Sequence, residues 1–398
     1  MTDLKYWLWL TLALKQKSRK ITALLERFET PLAVYRAEKS DFHGLPLSPA
    51  EAERLCDKSL HPAESVIAQA RAEGVRIMTF DSPYYPHLLA NIFDPPYVLY
   101  VKSRERLNLN DALTISIVGT RHMTSYGREA AVKIGADLAR CGVVVVSGMA
   151  RGIDGAAMTG ALDAGGKVVA VLGCGLDVVY PPEHTELMKR TAQNGMVISE
   201  YPFGSPPSRM HFPVRNRIIS GLSAGTVVVE SSAKGGSLIT ANQALEQGRD
   251  VFAVPGNINR LYSDGANELI RQGAHLVSSA LDILSEYREE YIHIFEKAVN
   301  NEQQTLKNPP TVFETKETET EKRAETAAAF SAMASAQYTS LSPEEKRIVN
   351  VMSLTPSHVD TLAEKTGLSA SELNASLTLL EMKGLIVPLA GRHYILNI

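Results

Sequence analysis

The sequence has 398 residues, enough for two or three domains with at least one well-buried core. With 44% hydrophobic and 21% charged residues, its composition is that of an ordinary globular protein. The apolar run at residues 6–14 is too short to span a bilayer, and its flanking charges are in the wrong order for a secretory signal. Three widely separated cysteines indicate neither a disulfide framework nor a metal site, so we expect a reducing, cytoplasmic location and no bound metal.

The formal net charge of −3 does not by itself suggest nucleic-acid binding. A DNA-binding site on this chain must therefore be a local basic pocket on a nearly neutral body. The global charge is compatible with such a site and equally compatible with its absence.

The N-terminal part of the chain predicts a small helical module. Apolar stripes at 7–14 and 21–28 are separated by polar breaks, and we place this module at residues 1–65, as a SAM or helix-hairpin-helix type. Two strand-like runs follow at 75–80 and 97–101.

A different sequence pattern begins near residue 111. Six short apolar runs, rich in β-branched residues, are each followed by a Gly- or Pro-bearing loop and then by a helical pattern. They lie at 115–118, 143–146, 168–172, 196–198, 226–229 and 251–254. Continuously apolar strands alternating with helices are typical of a parallel sheet covered on both faces. We therefore predict an α/β fold with a doubly wound, Rossmann-like sheet, in a domain spanning 66–296.

The C-terminal part predicts a linker and a small third domain. Residues 297–340 are charge-dense and then low in complexity, which predicts a flexible linker. Residues 341–398 predict a helix-turn-helix followed by a β-hairpin, the pattern of a winged helix. Its predicted helices are 343–352, 358–365 and 371–383, and its hairpin is 385–396.

Candidate binding residues lie in the loops that follow the predicted strands. In an open parallel sheet, ligands bind beyond the carboxyl ends of the strands, where small residues let the backbone approach. Phe203 and Phe212 offer faces on which unpaired bases can stack. Cations recur at these loop tips, although the domain as a whole is nearly neutral. The DNA-binding candidates are Gly119, Arg121, Ser147, Gly148, Arg151, Phe212, Arg215, Asn216, Arg217, Lys234, Gly236 and Ser237.

A purely structural role for these residues stays open at this point. Any doubly wound fold needs Gly-rich turns, and both phenylalanines are compatible with packing roles. Arg215 and Arg217 are compatible with ion pairs to Glu200 or Glu230. The chain has neither a Walker motif nor a complete dinucleotide fingerprint.

Eight short motifs occur in a fixed order over about 150 residues. They are SIVGTR (116–121), SGMARGID (147–154), AVLGCGLD (170–177) with Tyr180-Pro181, SEYP (199–202), FPVRNRII (212–219), GSLIT (236–240), EQGRDVFAVPG (246–256) and GAN (265–267). In this order they resemble the DNA-processing protein A family, also called Smf.

The resemblance implies a homodimer that binds single-stranded DNA at this edge, protects it from nucleases and loads a RecA-type recombinase onto it during DNA uptake. It implies no catalysis and no cofactor. By position, Arg121 matches the phosphate-binding arginine of the family, and Lys234 lies in a loop where members place basic residues that contact DNA. Arg215 and Arg217 match basic positions of the same rim.

Two other functions remain as alternatives. The pattern at 147–156 also resembles nucleotide phosphoribohydrolases, although Asn242 stands where their motif has the glutamate that supports glycosidic cleavage. A transcription regulator would read bases with the helix predicted at 371–383, which offers Asn374 and Lys383 but no arginine. We therefore expect a protein-contact or accessory role for the winged helix.

Overall fold

The computed structural model describes residues 3–307, 341–352, 357–383, 385–389 and 392–396. The chain divides into two compact units, Met1–Gln303 and Gln304–Ile398. Among the described residues, no helix is both long and apolar enough to cross a membrane.

The first unit begins with five short helices, as the apolar stripes predict. They are α1 (Leu4–Ala13), α2 (Ser18–Phe28), α3 (Pro31–Arg36), α4 (Pro49–Cys56) and α5 (His61–Ala72). Thr30 and Ser48 cap α3 and α4, each followed by a proline at the first helical position. The helical region continues past the predicted boundary at 65, because α5 ends only before Gly74, whose φ of +63° suits glycine.

A nine-stranded sheet forms the centre of the first unit. Its spatial order is β1-β2-β6-β5-β4-β3-β7-β8-β9. Strands β3 to β9 are parallel to one another, and at one edge β2 is antiparallel to both β6 and β1. The strands are β1 (Arg76–Thr79), β2 (Val98–Lys102), β3 (Thr114–Val118), β4 (Val144–Ser147), β5 (Val168–Leu172), β6 (Gly195–Ser199), β7 (Gly225–Val228), β8 (Asp250–Ala253) and β9 (His275–Leu276). The predicted doubly wound sheet is confirmed.

Helices cover both faces of this sheet. They are α6 (His87–Ala90), α7 (Ser125–Cys141), α8 (Ile153–Asp163), α9 (Thr185–Asn194), α10 (His211–Gly221), α11 (Gly236–Glu246), α12 (Asp264–Arg271), α13 (Ala280–Leu284) and α14 (Ile292–Lys307). Successive strand residues alternate between two cores: Val145 packs with the α7–α8 side, whereas Val144 and Val146 pack with the α10–α11 side. The strands are apolar throughout because each face of the sheet is buried.

The strand order reverses at β3. The chain runs outward from β3 through β4, β5 and β6, and then returns across the sheet to place β7 on the other side of β3. Loops that leave β3 and β7 at their carboxyl ends therefore diverge in opposite directions. The crevice between them is the expected ligand site of a doubly wound sheet.

The second unit has the helix-turn-helix and hairpin that the sequence predicts. From residue 341 onward its described helices are Pro343–Val351, Val359–Thr366 and Ala370–Met382. Strands Ser357–His358, Ile386–Leu389 and His393–Leu396 form a small antiparallel sheet. Gly367, at φ +66°, ends the second helix. Part of the predicted linker is helical, since α14 continues to residue 307. The remainder, 308–340, and the predicted hairpin turn at 390–391 lie outside the described residues.

Candidate nucleic-acid interface

A cleft of about 490 Å³ opens at the reversal point of the sheet. The end of β3 and its following loop form one wall, and the first turns of α10 and α11 form the other. The lining residues are Val118, Gly119, Thr120, Arg121, Ala150, Asp154, Arg209, Phe212, Pro213, Arg215, Asn216, Ile219, Ser232, Gly235, Gly236, Ser237, Ile239 and Thr240. Seven of the predicted residues meet in it: Gly119, Arg121, Phe212, Arg215, Asn216, Gly236 and Ser237.

Small residues let the loops around the cleft pack against one another. A Cβ atom added to Gly119 would lie 2.5 Å from Cγ1 of Ile153, so only glycine lets the loop after β3 rest on the start of α8. Gly152 has φ +78°, and a Cβ atom added to it would lie 2.2 Å from the carbonyl oxygen of Thr120 in that loop. These two glycines shape the wall of the cleft rather than leave room for a ligand.

Arg215 forms the buried floor of the cleft and is only 4% exposed. Its Nη1 donates to the carbonyl oxygens of Gly148, at 2.7 Å, and Val171. Burial lowers the pKa of Arg215 to about 10, while the carboxylate of Asp154 opposes that shift. The guanidinium is fixed in position but has no close ion pair with any described residue to neutralise it.

Asp154, also buried, holds the loop beneath Arg215. Its carboxylate accepts from the backbone N–H groups of Gly148, at 3.1 Å, and Ala150, at 3.4 Å. Burial raises the pKa of Asp154, whereas Arg215 and the two N–H groups lower it in part. Asp154 thus fixes the loop whose Gly148 carbonyl in turn fixes Arg215.

Three exposed cations surround this floor. Arg121 and Arg209 line the cleft, and Lys234 lies between the lining residues Ser232 and Gly235. Within the described ranges, none of the three forms an ion pair. Their charge is therefore available to a ligand from solvent, and together with Arg215 they make this region positive on a nearly neutral chain.

Phe212 stands among these cations. Its half-buried ring stacks on Tyr180, with centroids 5.5 Å apart and an interplanar angle of 26°. The guanidinium carbons of Arg121 and Arg215 lie 5.1 Å and 5.8 Å from its centroid. An aromatic ring flanked by cations offers a stacking face next to phosphate-binding groups.

Helix α11 presents a free N-terminus to the cleft. Gly235 occupies the N-cap position, so no side chain caps the first N–H groups of the helix. By contrast, Thr124 caps α7, and its own N–H and hydroxyl donate to Glu230. The start of α11 therefore keeps the partial positive charge that attracts phosphate groups.

Two predicted residues have structural positions away from the cleft. Ser147 is fully buried and donates from Oγ to the carbonyl of Ile117 at 2.6 Å, which ties β4 to β3. Gly148 lies behind the cleft wall, where an added Cβ would meet the Arg215 guanidinium.

Arg151 and Arg217 are neutralised by carboxylates. Arg151 is exposed and pairs with Glu183, with Nη2 3.0 Å from Oε2. Arg217 is buried and pairs with Glu200 at 2.7 Å and with Asp94 at 3.3 Å, as the structural alternative for this residue predicts. Neither arginine lines the cleft. Phe203 also lies outside it and packs against Tyr100, with ring centroids 5.5 Å apart.

Sequence reasoning left out some residues that the fold brings to the cleft. Arg209 lies in the segment before α10, but of the cations in that part of the chain the prediction included only Arg215 and Arg217 of the FPVRNRII motif. Asp154 and the loop residues Thr120, Ser232 and Gly235 also line the cleft. In the sequence, the indication that these residues belong to the site was that they lie in the same loops as predicted residues.

Comparison with known proteins agrees with this architecture. A family model described as "DNA recombination-mediator protein A" matches residues 76–288, and one described as "DprA winged helix domain" matches residues 332–392. The DNA processing protein DprA of Bacillus subtilis is 43% identical over 231 residues, which cover 58% of this chain and 77% of that protein. The protein Smf of Synechocystis is 35% identical over 330 residues, covering 80% of this chain and 79% of that protein.

A solved structure shows the same fold. The X-ray structure of DNA processing protein A from Streptococcus pneumoniae is 34% identical, with a TM-score of 0.63, and the match covers 71% of this chain and 97% of that chain. The family match includes both the doubly wound sheet and the winged helix. The chain therefore belongs to the DprA/Smf family of DNA-processing proteins.

Proposed function

We propose that this protein binds single-stranded DNA at the switch-point cleft, protects the strand and loads a RecA-type recombinase onto it during DNA uptake and recombination. The observation that carries the proposal is a set of cations without ion pairs at or beside the cleft that Phe212 lines. Arg121, Arg209 and Lys234 are exposed and lack ion pairs within the described ranges, and Arg215 lies buried beneath them.

This arrangement suits an unpaired strand. The cations and the uncapped start of α11 bind backbone phosphates, which every sequence shares. Phe212 stacks on a base, and stacking requires that the base be free of its partner strand. We therefore expect a preference for single strands with little preference among sequences.

The same geometry argues for binding rather than catalysis. Among the described residues that line the cleft, Asp154 is the one carboxylate, and it is buried and accepts hydrogen bonds from backbone N–H groups. Asn242, which stands in place of the hydrolase glutamate, is exposed on α11 and does not line the cleft. We infer a non-enzymatic, cytoplasmic protein that acts as a homodimer, in which two clefts on one strand raise the overall affinity.

The test is fluorescence anisotropy with a labelled oligonucleotide, as a single strand and as a duplex, at two salt concentrations. The rim variant Arg121→Ala/Arg209→Ala/Lys234→Ala is compared with Lys133→Ala/Arg140→Ala/Lys189→Ala, which removes the same charge from α7 and α9. The proposal predicts tight, salt-sensitive single-strand binding that is lost in the rim variant and kept in the control. Equal losses in both variants, or no preference for single strands, would contradict it.

A further inference from the structure

The size and position of the cleft suit a small ligand as well as a strand. Its volume of about 490 Å³ lies within the range of about 300–1,000 Å³ that is usual for small-molecule pockets. It opens at the reversal of strand order, where doubly wound sheets bind nucleotides.

Arg215 supplies a buried donor without a partner. The residue is 96% buried, since its exposed fraction is 4%, and it lines the cleft. Its Nη1 is used by the carbonyls of Gly148 and Val171, but its buried Nε has no hydrogen-bond partner among the described residues. Buried polar groups in native proteins are almost always paired. The guanidinium also has no close ion pair among the described residues, so an anionic oxygen in the cleft would balance its charge.

The start of α11 offers a second set of donors in the same cleft. Gly236 and Ser237 are the first two residues of this uncapped helix, and both line the cleft. A Cβ atom added to Gly236 would meet no atom within 4 Å, so the space before the helix is open. The hydroxyl of Ser237 donates to Ser231 Oγ at 2.9 Å. No side chain caps α11, so the backbone N–H of Ser237 stays available to a ligand.

The remaining lining provides a place for a nucleoside. Phe212 gives an aromatic face, while Pro213, Ile219 and Ile239 give apolar surface beside it. The polar donors are thus gathered next to a mostly apolar wall. This is the combination that a phosphate joined to a sugar and a base requires.

We propose that the cleft also binds a free nucleoside monophosphate, whose phosphate lies against Arg215 and the first turn of α11 and whose base lies against Phe212. The ligand then competes with single-stranded DNA for the same groups. The proposal rests on the proposed function in placing phosphate in this cleft, but it adds a separate small ligand.

Two measurements test this on the full-length protein. Saturation-transfer NMR detects binding of dTMP directly, without any DNA. Anisotropy of a labelled oligonucleotide then detects its displacement by dTMP, by thymidine and by inorganic phosphate at constant ionic strength. Because charge-assisted hydrogen bonds are about twice as strong as neutral ones, dTMP is expected to displace DNA at least about tenfold better than thymidine.

Variants assign the effect to the named groups. Arg215→Gln removes the buried donor, and Arg190→Gln removes an arginine of α9 that pairs with Asp163 outside the cleft. Gly236→Val places a branched side chain in the open space before α11, so it blocks the phosphate position without burying new atoms in the core. We expect loss of the dTMP signal in Arg215→Gln and Gly236→Val and an unchanged signal in Arg190→Gln. Circular dichroism verifies that each variant is folded. If Arg215→Gln is unfolded, the dTMP signal of Gly236→Val alone tests the proposal.

The outcomes separate this proposal from the single-strand function. A dTMP signal without oligonucleotide binding would support the nucleotide site and refute the single-strand function. Oligonucleotide binding with no dTMP signal at millimolar concentration would overturn the nucleotide site. The nucleotide site would also be overturned if inorganic phosphate displaced DNA with the same efficiency as dTMP. The same conclusion would follow if the folded Gly236→Val variant kept the dTMP signal.

Discussion

Arg215 and Gly148 hold each other in place across the base of the cleft. Nη1 of Arg215 donates to the Gly148 carbonyl at 2.7 Å, and a Cβ on Gly148 would lie 2.7 Å from the same nitrogen. The absence of a side chain at residue 148 is therefore a condition for the position of the buried guanidinium. Gly148 acts through Arg215, although it does not line the cleft itself.

We expect Gly148→Ala to weaken both folding and single-strand binding. The added methyl group displaces a buried guanidinium, and overpacking of this kind costs about 1–3 kcal/mol. Thermal denaturation measures the first effect and oligonucleotide anisotropy the second. Gly236→Ala is the control for folding, because its Cβ meets nothing within 4 Å, and it should keep the wild-type melting temperature. Wild-type DNA affinity in Gly148→Ala would show that Arg215 does not depend on Gly148.

Phe212→Leu should reduce single-strand affinity while leaving the protein folded. Stacking of one base on an aromatic ring contributes about 1–3 kcal/mol, which leucine does not replace. Phe203→Leu is the matched control, because Phe203 packs against Tyr100 outside the cleft. Anisotropy titrations of both variants check the prediction, and an equal loss of affinity in the two would argue against a stacking role for Phe212.

Each exposed cation should contribute to the salt dependence of binding. Release of a counterion from each neutralised phosphate gives a slope of log affinity against log salt of about −0.7 per contact on single strands. Arg209→Ala should make this slope less steep by about that amount. Lys189→Ala on α9 should leave the slope unchanged, since Lys189 lies outside the cleft. A slope unaffected by Arg209→Ala would remove this residue from the interface.

Glu51 should make the stability of the N-terminal helices sensitive to acid. Hydrogen bonds from Lys17, then Lys20 and the Ser48 backbone, hold the pKa of Glu51 well below its usual value of 4.5. A carboxyl whose pKa is lowered on folding contributes stability above the unfolded value and loses it as pH falls. We therefore expect Glu51→Gln to lower the free energy of unfolding at pH 7 by about 1.5–3 kcal/mol.

This difference between wild type and Glu51→Gln should shrink progressively below pH 4.5, because acid first protonates Glu51 in the unfolded chain, where its pKa is not lowered. Urea denaturation at several pH values measures it. Glu53→Gln, at a side chain that is 76% exposed, should have little effect at any pH. A pH-independent difference for Glu51→Gln would show that the loss is not due to the carboxylate charge.

Removal of residues 341–398 should leave single-strand binding largely intact. The helix Ala370–Met382 of this unit exposes Leu379 and Met382, at 49% and 80%, and carries no arginine. Such a face is better suited to protein contact than to phosphates. Anisotropy with a chain that ends at residue 340 measures the effect, and abolished binding would assign DNA contact to the winged helix.

The sequence predicted the fold better than the orientation of individual side chains. Buried parallel strands are apolar on both faces, so their positions were visible as β-branched runs. Arg215 and Arg217 are two residues apart on α10, which places them on different sides of the helix. One reaches the cleft and the other reaches Glu200 and Asp94. The motif that contains both arginines does not reveal which of them is neutralised, because the carboxylates that pair with Arg217 come from other parts of the chain.

The most direct test of the central claim is the location of the DNA on the protein. A single-stranded oligonucleotide containing 5-iododeoxyuridine is cross-linked to the full-length protein by light, and the attached peptide is identified by mass spectrometry. We expect the cross-linked peptide to contain Phe212, which lines the cleft, or Tyr180, which stacks on its ring. Cross-links confined to residues 341–398, or to surfaces distant from α10 and α11, would contradict the assignment of the cleft as the single-strand site.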